Sequence, residues 1–323
     1  MSTNEPAAST HDRPDLRAVE GGAANADARR AQGGGPDRST SWWLGMLRRR
    51  AERMYDEKLP LDEPIAWASE AERQAAIAFF NAAYRAEESG LSQAHELAAE
   101  VAEWDPELAE VLRLYGDEEG WHRALLTEFL AYLGGDVRPM GRVTGTFYKL
   151  YARAKRMETI VLTNLMFETI GSTTYRLALR RATHPAVRHM LTILTRDESF
   201  HVPLNVHFLR ETMKRRPGLP TRLRMKAIYH LLFLALLGSA AASRERAALF
   251  DKVTFKELST AYAEHLGRLF LQEADFDLTP STLLLRLFGL DPAELRASEG
   301  PSFTSVRAAE EAVDRTRVTV TAL

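Results

Sequence analysis

The chain has no cysteine among its 323 residues. That excludes disulfides, thiolate zinc sites, iron–sulfur clusters and a rubredoxin-type electron carrier in the same polypeptide. It fits a reducing compartment, and a cytoplasmic location is expected. An excess of one charge is also missing: 42 Lys and Arg stand against 44 Asp and Glu, a formal charge of −2. No basic footprint therefore argues for nucleic acid. The N-terminus is polar and lacks an apolar h-region, so no secretory signal is expected. Proline is sparse between Leu61 and Gln272, and strand-like runs of Val, Ile and Thr are missing there. Long apolar runs are few. The longest, "AIYHLLFLALLGSAAAS" from Ala227 to Ser243, is shorter than the roughly 20 residues of a membrane span and carries His230, Gly238 and serines. A buried helix is expected there, and a membrane is not expected as a partner.

What is present is ordinary in amount, with 45% apolar and 27% charged residues, and helical in period. Residues 1 to about 40 are rich in Ala, Gly, Asp, Arg and Ser and read as a disordered tail. "SWWLGMLRRRAERMY" follows as a docking helix whose Trp42 and Trp43 cap the core. From Leu61 to Gln272 the apolar positions recur at three and four. The spacing predicts helices near 68–101, 106–133, 156–183, 185–214, 221–249 and 254–274, with Gly and Pro at the breaks. The expected division is a tail and docking helix over 1–57, an all-α helical domain over 58–275 and a C-terminal extension over 276–323, both ends flexible.

One stretch does not suit a plain core helix. In "TRDESFHVPLN" the charged Asp197 and Glu198 and the imidazole of His201 sit among Leu191, Leu194, Val202 and Phe208. The Glu-x-x-His pattern occurs twice, as Glu119 with His122 and as Glu198 with His201. Composition alone yields about 0.8 such pairs, so the doubling carries more meaning than one motif. The i, i+3 spacing puts both side chains on one helical face. A bundle that holds two metal ions needs two such motifs and one further glutamate from each of two other helices. Glu168 stands 30 residues before Glu198; Glu87 and Glu88 stand 32 and 31 before Glu119. Glu87 shares its face with Phe80, Ala83, Leu91 and Ala94, and Glu88 with Asn81, Arg85, Ser92 and His95. The more apolar face favours Glu87. The longer middle interval leaves Gly134 to about Arg156 for a crossover between two parallel helices.

This order, Glu, Glu-x-x-His, Glu, Glu-x-x-His, resembles the ferritin-like di-iron carboxylate superfamily. The segment "ETIGSTTYRLALRRATHPAVRHMLTILTRDESFH" is similar to the second half of its di-iron oxygenases and acyl-carrier desaturases. The resemblance covers about residues 70 to 212. It implies a four-helix bundle with about two additional helices, two iron ions, and Glu87, Glu119, His122, Glu168, Glu198 and His201 as metal ligands. It further implies that Glu118 and Asp197 each support the histidine of the opposite motif, and that Gly171 and Ser172 lie on the dioxygen side, where Ser172 can relay a proton. The radical-tyrosine position of ribonucleotide reductase small subunits is Leu126 here, and no histidine stands one turn before Glu198, where Leu194 is found.

The expected function is oxygen-dependent: hydroxylation, desaturation or N-oxygenation of a small or carrier-bound organic substrate by a non-haem di-iron monooxygenase-type oxidoreductase. Dioxygen is the co-substrate. The chain has no Gly-rich dinucleotide fingerprint after a strand, so a ferredoxin-type external donor is expected to supply electrons. A modest basic patch of Arg138, Arg153, Lys155 and Arg156 is its expected docking face. A homodimer is left open. The alternatives are iron storage or peroxide detoxification in a ferritin-like shell, and a metal-free helical interaction protein.

Overall fold

The computed structural model describes residues 38–54, 56–141, 145–146, 154, 156–215, 218–273, 276–278 and 280–297. Among them the regular structure is all helical, with no strand. The helices are α1 (Thr40–Met54), α2 (Glu70–Val101), α3 (Pro106–Tyr132), α4 (Met157–Leu179), α5 (Pro185–Arg215), α6 (Leu219–Asp251), α7 (Phe255–Gln272), α8 (Thr282–Leu287) and α9 (Pro292–Ala297). Their starts have local causes. Ser69 caps α2 by accepting the Glu72 N–H, and Asp105 caps α3 by accepting the Leu108 N–H ahead of a proline that lacks a donor anyway. Thr254 and Glu257 form a capping box at the head of α7.

Four long helices form two hairpins, α2 with α3 and α4 with α5, laid against each other. Two apolar clusters fill the space between them. One gathers Leu97, Leu112, Tyr115, Leu165, Phe200 and Phe208, and the other Phe80, Leu126, Phe129, Tyr175, Leu191 and Leu194. The order in which each helix meets the clusters gives its direction. Helices α2 and α5 run from the second cluster to the first, and α3 and α4 run the other way. Thus α3 and α4 are parallel, as the long middle interval predicts. Of the intervening segment, residues 142–144, 147–153 and 155 lie outside the described residues. Where the clusters meet, all four helices turn a charged residue inward, and this polar layer is the site described below.

Helix α1 joins the same core. Trp43 and Leu47 are buried in one cluster and Met54 in the other, while Trp42 is only partly covered. Residues 1–37 lie outside the described residues, as do 298–323. The described part of the C-terminal extension is not loose: Leu285 and Leu295 are buried, and α8 and α9 pack on α7.

Helix α6 departs from expectation. The run Ala227 to Ser243 is not a buried helix. It lies within a 33-residue helix that buries Met225, Tyr229 and Phe233 and, near its end, the ion pair of Arg244 and Asp251, and leaves Leu223, Leu231 and Leu234 largely exposed. Between Ala227 and Ser243 the helix is apolar on nearly every side, so its period there does not reveal which side is covered. It is the one described helix long and apolar enough to cross a membrane, a test that core helices and signal sequences also pass.

Candidate metal centre

Glu87 of α2, Glu119 and His122 of α3, Glu168 of α4, and Glu198 and His201 of α5 come together in the layer between the two apolar clusters. All six are buried. Glu88, by contrast, points outward and pairs with Arg85 at 2.6 Å. The two imidazoles face each other with ring centroids 5.8 Å apart. His122 Nδ1 lies 3.3 Å from Glu87 Oε2. His201 Nδ1 lies 3.2 Å from Glu119 Oε1 and 3.6 Å from both Glu168 Oε2 and Glu198 Oε2.

Two groups of potential ligand atoms result: Glu87, Glu119 and His122, and Glu119, Glu168 and His201, each with its atoms within 4.8 Å of one another. Glu119 belongs to both groups. His201 Nδ1 and Glu119 Oε1 are buried, and neither has a hydrogen-bond partner. Leaving such groups unsatisfied is costly, so a cation that binds both lone pairs fits the observation.

The far side of each imidazole is held from the opposite motif. His122 Nε2 bonds Asp197 Oδ2 at 3.1 Å, and His201 Nε2 bonds Glu118 Oε2 at 3.0 Å. With Nε2–H donating to a carboxylate, Nδ1 is left to bind. Arg50 from α1 bridges the two supports. Its Nε and Nη2 donate to Glu118 at 2.8 and 3.0 Å, and Nη2 also reaches Asp197 Oδ1 at 2.9 Å. Arg196 makes a second, two-pronged contact to Asp197, at 2.7 and 2.9 Å.

Charge balance points the same way. Six buried carboxylates, of Glu87, Glu118, Glu119, Glu168, Asp197 and Glu198, meet two arginines, Arg50 and Arg196. Arg196 also pairs with Glu57 at 3.0 Å, so with neutral imidazoles the layer keeps an excess of at least four negative charges, which cations can neutralise. Without metal, protons take that place. Burial, then the neighbouring Glu87 and Glu168, push Glu119 well above the carboxylate range. Burial with Glu168 and Glu87 does the same to Glu198. Burial also disfavours charge on Glu168, but Glu198, the nearby His201 ring and the Tyr115 hydroxyl outweigh it and hold Glu168 at about 2. Burial opposes a charged His122, yet bonds to Asp197 and Glu87 lift it to about 9.

A small cleft, partly open to solvent, reaches this layer between α2 and α4. Its wall includes Ala86, Ser89, Gly90, Asn164, Phe167, Gly171 and Tyr175, and its floor Glu87, Glu119, Glu168 and Glu198. Gly171 lines the cleft, and a Cβ there would sit 3.9 Å from the Glu198 carboxyl carbon. Ser172 is not part of the wall; its hydroxyl donates to the carbonyl of Thr169 in its own helix, at 3.1 Å. The helix itself takes up that hydroxyl, which is the common fate of a serine inside a helix.

Three residues that serve this layer did not stand out in the sequence. The Tyr115 hydroxyl, one turn before Glu119, donates to Glu168 while its ring packs edge-on to His201 at 4.8 Å. Gly90 leaves room for the Glu119 carboxylate, which a Cβ would approach to 3.1 Å. Arg50 sits on the stripe of Trp43, Leu47 and Met54, a charge on an apolar face much as in α5. Compared with family models, with curated proteins and with solved structures, the chain matches none.

Proposed function

We propose that this layer is a di-iron carboxylate centre in a ferritin-like four-helix bundle, and that the protein is an oxygen-dependent oxidoreductase that hydroxylates, desaturates or N-oxygenates an organic substrate. The observation that carries the reading is the shared Glu119 between two three-ligand groups drawn from all four helices, Glu198 beside them. Four carboxylates and two imidazoles suit iron in both common oxidation states. When bound, reduced iron supplies the electrons and the Lewis acidity needed to activate dioxygen.

The chain's own residues do the rest. Glu118 and Asp197 fix the tautomer and tilt of the two imidazoles, and Tyr115 restrains Glu168 through its hydroxyl. The carboxylates of Glu119 and Glu198 give up protons as cations enter, which keeps the buried charge near neutral. Gly90 and Gly171 keep the cleft side of the layer free of side chains, so a substrate edge can reach it. Ala86 and Phe167 offer that edge apolar contact, and Asn164 and Ser89 offer polar atoms.

An external one-electron donor of ferredoxin type completes the reading. Of its expected docking residues, Arg138 and Arg156 are at the surface beside this bundle, and Arg153 and Lys155 lie outside the described residues. The test is anaerobic reconstitution with ferrous iron, followed by oxygen. Two ions per chain and rapid oxygen consumption with an added ferredoxin and its reductase are expected. Less than about half an ion per chain in excess iron would sink the metal reading, and tens of ions per chain would favour storage in a shell.

A further inference from the structure

We propose that Arg50 is a positioning residue for both imidazoles, and that through it the docking of α1 is coupled to metal loading. The inference rests on the metal reading above and concerns a helix outside the four that supply the ligands.

The geometry is specific. Arg50 is 1% exposed, and its guanidinium forks between Glu118 and Asp197, the two carboxylates that hold the Nε2 atoms of His201 and His122. Its central carbon stands 4.2 Å over the ring of Phe200, the residue before His201. Burial disfavours its charge, but Glu118 and Asp197 more than compensate, so it stays protonated. One planar cation thus sets the position of two carboxylates, and each carboxylate sets the direction of one ligand imidazole. Lysine, a point charge, does not span the two carboxylates in this way.

The two sides are unequal. Asp197 keeps Arg196 if Arg50 is lost, whereas among the described residues Arg50 is the only arginine or lysine that reaches Glu118. Loss of Arg50 should therefore free His201 more than His122. His201 belongs with Glu119 and Glu168, and His122 with Glu87 and Glu119. The ion at the first of these groups should weaken and the other should largely persist. The coupling is reciprocal: if docking of α1 favours metal, metal favours docking of α1 by the same factor.

The test uses the full chain as wild type, Arg50→Met and Arg50→Lys, each stripped of metal and titrated anaerobically with ferrous iron against a chromophoric chelator. Hydrogen exchange of residues 40–54 is followed with and without iron. Wild type is expected to take two ions and to gain exchange protection in α1 on loading. Arg50→Met is expected to bind one of the two ions about 10- to 100-fold more weakly, and Arg50→Lys to fall between. A merely structural Arg50 would lower the melting temperature and leave both affinities alone. That result, or α1 protection unchanged by iron in wild type, overturns the inference while the metal reading stands. If Arg50→Met does not fold, Arg50→Lys and the wild-type exchange decide. Wild type that takes up no iron would remove the metal reading itself, and this inference with it.

Discussion

His122 Nε2 meets Asp197 Oδ2 at 3.1 Å, although 75 residues separate them and they belong to different hairpins. The reverse contact, His201 with Glu118, makes the arrangement nearly symmetric. The histidine of each Glu-x-x-His motif thus bonds the residue that precedes the glutamate of the other motif. Asp197→Asn keeps the shape but removes the charge that faces His122, Arg50 and Arg196. Iron affinity is expected to fall about 10- to 100-fold. The metal-free fold should lose about 1–3 kcal/mol, because Arg50 and Arg196 each lose one charged acceptor while keeping another, Glu118 and Glu57. Ferrous titration well below the melting temperature checks the first effect and urea unfolding the second. Wild-type affinity in this variant would show that the carboxylate does not orient the ring.

Glu119 predicts a division between stability and binding. It belongs to both ligand groups, so Glu119→Gln should lose both ions, whereas Glu168→Ala should lose chiefly one. In the metal-free protein Glu119 is a strained member of the layer, forced toward its protonated form by burial and by Glu87 and Glu168. A neutral glutamine relieves that repulsion and should raise metal-free stability by on the order of 1 kcal/mol. Iron content by elemental analysis and paired melting curves check the two halves. A variant that still binds two ions would remove the bridging role from Glu119.

Much of this was legible in the sequence because the pattern that matters is local. The predicted helix 68–101 is observed as Glu70–Val101, 106–133 as Pro106–Tyr132 and 185–214 as Pro185–Arg215. Glu119 and His122 share a face by helical geometry alone, and intervals near 30 residues bring four helices to one level. Glu87 could be preferred over Glu88 because its neighbours one turn away are apolar. What was not legible depends on contacts far along the chain. Arg50 reaches Glu118 across 68 residues and Asp197 across 147, and only the spacing Trp43, Leu47, Arg50, Met54 hinted that it faces inward. The direction of the Ser172 hydroxyl is a rotamer choice within a helix, which spacing does not determine. The exposed side of α6 was hidden because between Ala227 and Ser243 nearly all its sides are apolar.

The pH dependence follows from the shifted groups. His122 is raised from 6.5 to about 9, so its contribution to metal-free stability is full below 6.5 and lost as pH rises through 9. Glu119 and Glu198 are also raised, and they act in the same direction from about 4.5 upward. Glu168 is lowered from 4.5 to about 2, so its contribution is present above 4.5 and lost as pH falls toward 2. The metal-free protein should therefore lose stability between pH 6.5 and 9. Iron displaces the protons, so its apparent affinity should rise over the same window. Melting curves of metal-free protein from pH 6 to 9, with ferrous titrations at pH 6.5 and 8, check both trends. Affinity that falls as pH rises would contradict the assignment of protons to these groups.

Helix α6 gives the plainest contrast between two neighbouring positions. Leu231 and Leu234 are 66% and 58% exposed, and Phe233 between them is 2% exposed and packs against Phe288. A buried apolar side chain carries most of its stabilisation through area withdrawn from water, and these leucines withdraw little. Leu231→Glu together with Leu234→Glu should change stability by no more than about 1 kcal/mol, since surface substitutions usually stay within about 0.5 each. Iron binding should be unaffected, because neither residue lies in the polar layer or its cleft. Phe233→Ala removes a ring from the core and should cost about 3–5 kcal/mol. Urea unfolding at micromolar concentration compares the three proteins. A loss above about 2 kcal/mol in the double glutamate variant would mean that this face is covered in solution.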